Sequence, residues 1–111
     1  MGRKRRGRRE EEEKEVPLPG GDLMLGVIEQ FLGYDRARVR CADGKTRLCR
    51  IPGKYKKRMW MKVGDIVLVA PWDFQADKRG DIVYRYTDTE LQRLIRAGLL
   101  QGVEELLEGA E

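Results

Sequence analysis

The sequence predicts a mainly β protein: a five-stranded barrel, an α-helical extension behind it and a disordered basic arm in front. Three observations carry that prediction. From about residue 23 to residue 86 the chain breaks into short alternating or apolar runs separated by turn residues. From Thr87 the apolar period becomes helical, and residues 1–15 are charged, low-complexity sequence with almost nothing to bury. Five short strands in so short a span fit a small closed barrel better than a sandwich, which usually needs about seven.

Taken in order, "MGRKRRGRREEEEKE" is a basic block followed by an acidic one, and reads as a flexible arm. "VPLPGGD" at 16–22 is a linker by its prolines and glycines, so the arm and linker are expected to span residues 1–21. "LMLGVIEQFL" at 23–32 is a first strand in which Gly26 permits a sharp bend or a bulge. "DRARVRC" at 35–41 alternates strictly, which sets Arg36, Arg38 and Arg40 on one face and Ala37, Val39 and Cys41 on the other. "ADGK" is a hairpin signal, and "TRLCRI" is its return strand. With two central residues in the turn, Arg40 lies opposite Arg47 and four arginines share one face. "IVLVA" at 66–70 is the fourth strand and "DIVYRYT" at 81–87 the fifth.

The barrel is therefore expected over residues 22–86, with a helical extension and short acidic tail over 87–111. Thr87 and Glu90 have capping-box spacing, and Leu91, Leu94, Ile95 and Leu99 form an apolar stripe. Val103, Leu106 and Leu107 continue that stripe or form a second short helix. Packing onto the barrel is the expected role of the stripe; docking of a partner protein is the alternative.

Charge is unevenly distributed. Residues 1–15 carry a net +2, residues 16–86 a net +6 and residues 87–111 a net −4. The barrel is thus the anion-attracting part. Between Arg36 and Lys62 stand eleven Lys or Arg residues and a single acid, Asp43. Their densest run, "RIPGKYKKRMWMK", carries Lys54, Lys56, Lys57, Arg58 and Lys62 with Trp60 among them. Such a surface binds phosphate with affinity that falls steeply with salt, and arginine can hold phosphate oxygens in pairs or stack on bases. Trp60 either stacks on an unpaired base, worth roughly 1–3 kcal/mol, or closes one end of the barrel core. Trp72, Phe74, Tyr84 and Tyr86 read as half-buried packing rather than base platforms.

Other chemistries find little support. The sequence has no His, Ser or Asn, which removes the commonest general base and the serine nucleophile together. No phosphate-cradling glycine motif is present, and Cys41 and Cys49 are too few to hold zinc, so no cofactor, no metal and no enzymatic activity are expected. There is no apolar run of membrane-spanning length and no secretory signal, which points to a cytoplasmic protein, expected to be a monomer. High charge without Asn suits a thermophilic source. The physical reading is an OB-type barrel with one basic face, directed at RNA or DNA.

The order of motifs goes further. "CADGKTRLC", "GKYKKRMW", "GDIVLV", "DFQADKRGDIVYRY" and the closing helix, from about Leu23 to Leu100, closely resemble the translation initiation factor 1A family, the archaeal and eukaryotic counterpart of the small bacterial initiation factor. The resemblance implies an OB-fold that binds ribosomal RNA of the small subunit near the aminoacyl site. It also implies cooperation with other initiation factors in placing initiator tRNA and mRNA, without chemistry of its own. Carried over by position, RNA contact falls on Lys54, Lys56, Lys57 and Arg58 with Trp60 beside them, extended by Arg36, Arg38, Arg40 and Arg47. Eukaryotic members have a long acidic C-terminal tail; here "GVEELLEGAE" closes the sequence, as in the archaeal form. The other functions weighed are a general single-stranded RNA binder or RNA chaperone of cold-shock type, and a protein-interaction module built on the helix.

Overall fold

The computed structural model describes residues 16–33, 35–53, 61–100, 103 and 106. Five strands, β1 (Met24–Phe31), β2 (Arg36–Cys41), β3 (Thr46–Arg50), β4 (Ile66–Pro71) and β5 (Arg79–Arg85), precede the helix α1 (Asp88–Arg96). They close into a barrel in the order β1-β2-β3-β5-β4, with β1 returning to β4 and β3 running parallel to β5. This is the Greek-key closure of an OB-fold, which leaves no free sheet edge.

The barrel interior is filled by the inward alternates Ile28, Val39, Cys41, Cys49, Val67, Val69 and Ile82, and Met61 enters it from the connection before β4. A second apolar layer lies outside. Leu25 and Val27 of β1 and Ile66 and Leu68 of β4 point away from the interior, and Leu91, Leu94, Leu100, Val103 and Leu106 cover them together with Tyr84 and Tyr86. This explains why Leu25 to Ile28 and Ile66 to Val69 are buried without alternation: both faces of these strands are covered. Each fully buried Leu, Ile or Val contributes on the order of 1.5–3 kcal/mol, so the extension stabilises the barrel rather than decorating it.

Gly26 is not the bulge. The register slips between Ile28 and Gln30 instead, while Gly26 pairs with both Cys41 and Val67. A Cβ placed at Gly26 would stand 2.5 Å from Val39 Cγ1, so the residue is a point of close approach between β1 and β2.

The helix starts where its sequence says. Thr87 accepts from the Glu90 backbone N–H at 3.1 Å, and the Glu90 carboxylate takes the Thr87 N–H at 3.0 Å. Glu90 also receives the Tyr84 hydroxyl at 2.7 Å, which ties the cap to β5. At the other end Gly98, with φ +76°, lets its own N–H and that of Leu99 reach the carbonyls of Ile95 and Leu94. Replacing Thr87 with Ala is expected to cost about 1 kcal/mol in urea denaturation, the usual worth of an N-cap.

The helical stripe divides. Leu91 and Leu94 pack inward, whereas Ile95 and Leu99 stay exposed. The linker is pinned as well: Val16 joins the outer apolar layer, and the Tyr86 hydroxyl donates to the Pro17 carbonyl. Burial, with Glu90 adding to it, pushes the Tyr86 phenol up to about 12.

Candidate nucleic-acid interface

The outer faces of β2, β3 and β5 form one continuous surface. Register places Arg36 opposite Arg50 and Arg50 beside Asp81, while Arg38 lies opposite Leu48 and Leu48 beside Arg79. Two rows of side chains therefore cross three strands, and four of these six residues are arginines. Arg36 and Arg50 are opposed like charges, an arrangement unfavourable in itself. Asp35 stands 3.9 Å from Arg36 and Asp81 3.4 Å from Arg50, yet both arginines remain more than half exposed. Arg38 is exposed too, and donates to Gln30 at 2.9 Å.

Arg47 does not belong to this face. The hairpin turn holds three residues, with Cys41 N–H bonded to the Lys45 carbonyl and Gly44 at φ +86°. Arg40 consequently opposes Thr46, and Arg47 opposes Val39. That one-residue shift turns Arg47 to the inner side. It is 3% exposed, bound through both terminal nitrogens to the Asp43 carboxylate at 3.1 and 2.9 Å, and its Nε donates to the Ala76 carbonyl. The Arg47 guanidinium holds the Asp43 carboxyl below its ordinary range. Arg47 thus joins the β2–β3 turn to the β4–β5 connection.

Arg40 keeps its outward direction but is half-buried and engaged. Its Nε donates to Glu29 at 3.1 Å, and its Nη2 to the Leu106 carbonyl of the extension. Lys62 is far more exposed, its side chain at 81%, with its amine in an ion pair 3.7 Å from Asp65. Lys54, Lys56, Lys57, Arg58 and Trp60 lie outside the described residues. After β3 the Ile51 N–H bonds the Asp35 carbonyl next to Arg36.

Of the aromatics read from sequence as half-buried packing, Trp72 is half-buried but Phe74 is exposed, and both lie at the side of the same surface. Trp72, at the end of β4, has the guanidinium carbons of Arg50 and Arg79 each 5.9 Å from its ring centroid, and its Nε1 donates to Asp81 Oδ1 at 3.0 Å. Phe74 lies 6.1 Å from Trp72, tilted by 54°, and is 69% exposed. Half-buried Trp72, flanked by two arginines, and exposed Phe74 against it together offer flat apolar faces on which a planar ring can stack. The signal available in sequence was the spacing of Trp72 and Phe74, but nothing local shows that the parallel β3–β5 pairing brings Arg50 over Trp72.

The two cysteines are packing residues. Both are buried, and burial pushes the Cys41 thiol up and the Cys49 thiol up to about 12. Among the described residues no group of His, Cys, Asp or Glu is placed to hold a metal, and no helix is long and apolar enough to cross a membrane.

The family model described as Translation initiation factor 1A / IF-1 matches residues 13–108. Translation initiation factor 1A of Pyrococcus abyssi is 55% identical over 94 residues, covering 85% of this chain and 81% of that protein. The Thermococcus kodakarensis protein of the same name is 55% identical over 98 residues, covering 86% and 82%. That of Methanothermobacter thermautotrophicus is 50% identical over 96 residues, covering 86% of this chain and 97% of its own length.

Proposed function

Because the chain belongs to the translation initiation factor 1A family, we propose that it binds ribosomal RNA of the small subunit near the aminoacyl site and promotes assembly of the initiation complex with initiator tRNA and mRNA. In this reading the protein works in the cytoplasm as a monomer, alongside other initiation factors, without cofactor or catalysis. One observation carries the proposal furthest. Arg36 and Arg50 face one another across β2 and β3, exposed and incompletely neutralised, with Trp72 and Phe74 at the side of the same surface. A phosphate placed between the two guanidiniums relieves their repulsion, and each phosphate so held releases condensed counterions.

Arg36, Arg38 and Lys62 serve as phosphate contacts in this scheme, with Lys54, Lys56, Lys57 and Arg58 extending them and Trp60 beside that run. Arg40 and Arg47 drop out of the contact set, because one holds the extension and the other the barrel end. Co-sedimentation with purified small subunits tests this. Binding should saturate, fall with salt and survive excess unstructured RNA. Changing Lys56, Lys57 and Arg58 together to Ala should weaken it by at least about tenfold, since each lost phosphate contact removes one released counterion. Binding unchanged in that variant rules out the assigned surface, and binding lost to the competitor RNA indicates a general single-strand binder.

A further inference from the structure

Asp81 is out of place on a phosphate-binding face. It stands between Arg50 and Val83 on the outer side of β5, where a carboxylate repels the phosphates that its neighbours attract. Neutralising Arg50 accounts for only part of it. Oδ1 accepts the Trp72 indole N–H at 3.0 Å and forms an ion pair with the Arg50 Nε at 3.4 Å, whereas Oδ2 has no hydrogen bond among the described residues.

Beside this carboxylate lies an open depression of about 340 Å³ lined by Arg50, Pro52, Asp81, Ile82 and Val83. That volume falls at the lower end of the range for small-molecule sites, about 300–1,000 Å³. Its floor is apolar, and Val83 is left 40% exposed there although the strand's inward neighbour Ile82 is fully buried. The combination of an apolar floor, one acceptor-only oxygen and a rim guanidinium suits neither a phosphate nor an aliphatic side chain. It suits the flat, apolar face and hydrogen-bonding edge of a nucleobase.

We propose that this depression holds one unpaired RNA base that bears an exocyclic amine, with the amine donating to Asp81 Oδ2 and the adjoining phosphates on Arg36 and Arg50. A carboxylate accepts and cannot donate, so it pairs with the N4 amine of cytosine, the contact by which acids read that base. Uracil presents a carbonyl oxygen at the same position and is repelled. Asp81 is then a specificity-determining residue within an interface that is otherwise indifferent to sequence. The inference rests on the RNA-binding reading above but fails separately from it, because subunit binding depends on the basic residues and base preference on Asp81.

The test compares cytidine and uridine hexanucleotides, two pyrimidines of the same backbone that differ at this position. Fluorescence anisotropy of end-labelled oligomers with the full chain at low salt should show cytidine bound about tenfold more tightly, the scale of one hydrogen bond to a charged group. In Asp81→Asn the side-chain oxygen still accepts from Trp72, and the new amide N–H₂ can donate to the uracil carbonyl. The two affinities should then converge to within about twofold. Equal binding of the two oligomers by the unmodified chain overturns the proposal, as does a preference that persists in Asp81→Asn.

Discussion

Gly26→Ala is expected to lower the stability of the barrel by about 1–3 kcal/mol, the range for forcing an extra carbon into a packed core. The new Cβ would lie 2.5 Å from Val39 Cγ1 and 3.3 Å from both the Arg40 carbonyl oxygen and Val69 Cγ2. Val39 has no room to yield: it is β-branched, fully buried and flanked by the paired backbone of β1 and β3. The strands must part instead, and β1 is the strand that pairs with both β2 and β4 to close the barrel. Urea denaturation followed by far-ultraviolet circular dichroism measures the loss. The cause can be isolated by removing the obstructing methyl with Val39→Ala. That change alone opens a cavity and costs stability, but combined with Gly26→Ala it should cost less than the two added together. Strict additivity would mean that the contact is not the reason this position is glycine. A valine at Gly26, which reaches further into the same wall, should be the more damaging substitution.

The strands and the capped helix were legible because their causes are local. Strict alternation in "RARVRC", the apolar run "IVLVA" and the Thr87/Glu90 pair each act within a few residues, and each element forms where its pattern lies. Register was not legible to the same degree. Asp43-Gly44 announces a turn, but a two-residue and a three-residue loop both accommodate it, and the difference decides whether Arg47 faces water or the barrel. Longer-range pairing was invisible. Nothing in the sequence shows that β3 runs parallel to β5, and that pairing brings Arg50 to the Arg79, Asp81 and Trp72 that the β4–β5 pairing assembles. The candidate surface was therefore read as a run of charges with Trp60, without Trp72, Phe74 and Asp81. For the same reason Arg40 looked like a free contact: its partner carbonyl, at Leu106, is 66 residues away in sequence. The stripe on α1 likewise held a correct period whose inner half packs and whose outer half, Ile95 and Leu99, does not.

Stability below pH 4 should depend on Asp43, and the dependence should vanish with Arg47. Arg47 is 3% exposed and serves three groups at once: the Asp43 carboxylate, the Ala76 carbonyl and the sulfur of Met24 at 3.6 Å. Replacing it with Met keeps most of its volume but leaves the Ala76 carbonyl without that donor and the carboxylate without its counter-ion. A loss of about 2–4 kcal/mol at pH 7 is expected, between the cost of an unmet buried hydrogen bond and that of a broken buried ion pair. The pH dependence follows from the direction of the Asp43 shift. Its carboxyl is depressed in the folded chain, first by the hydrogen bonds from Arg47 and further by the Lys45 backbone N–H. The folded protein therefore holds the ionised form more strongly than the unfolded chain does. The resulting stabilisation is complete above the unfolded value, about 3.9, and is lost progressively as pH falls through the lower folded value. Urea midpoints between pH 7 and pH 2 should thus fall less steeply in Asp43→Asn than in the unmodified chain. Arg47→Met and the double substitution should follow the same flattened course, because without the guanidinium the carboxyl titrates near its unfolded value. An acid slope unchanged by Asp43→Asn would place the acid sensitivity elsewhere, with the Arg50–Asp81 pair on the outer arginine face as the next group to examine. Such a result would also separate the barrel's two kinds of arginine. Arg47 spends its charge on holding one end of the barrel closed, whereas Arg36, Arg38 and Arg50 stay exposed on the outer face, and one residue of hairpin register divides the two placements.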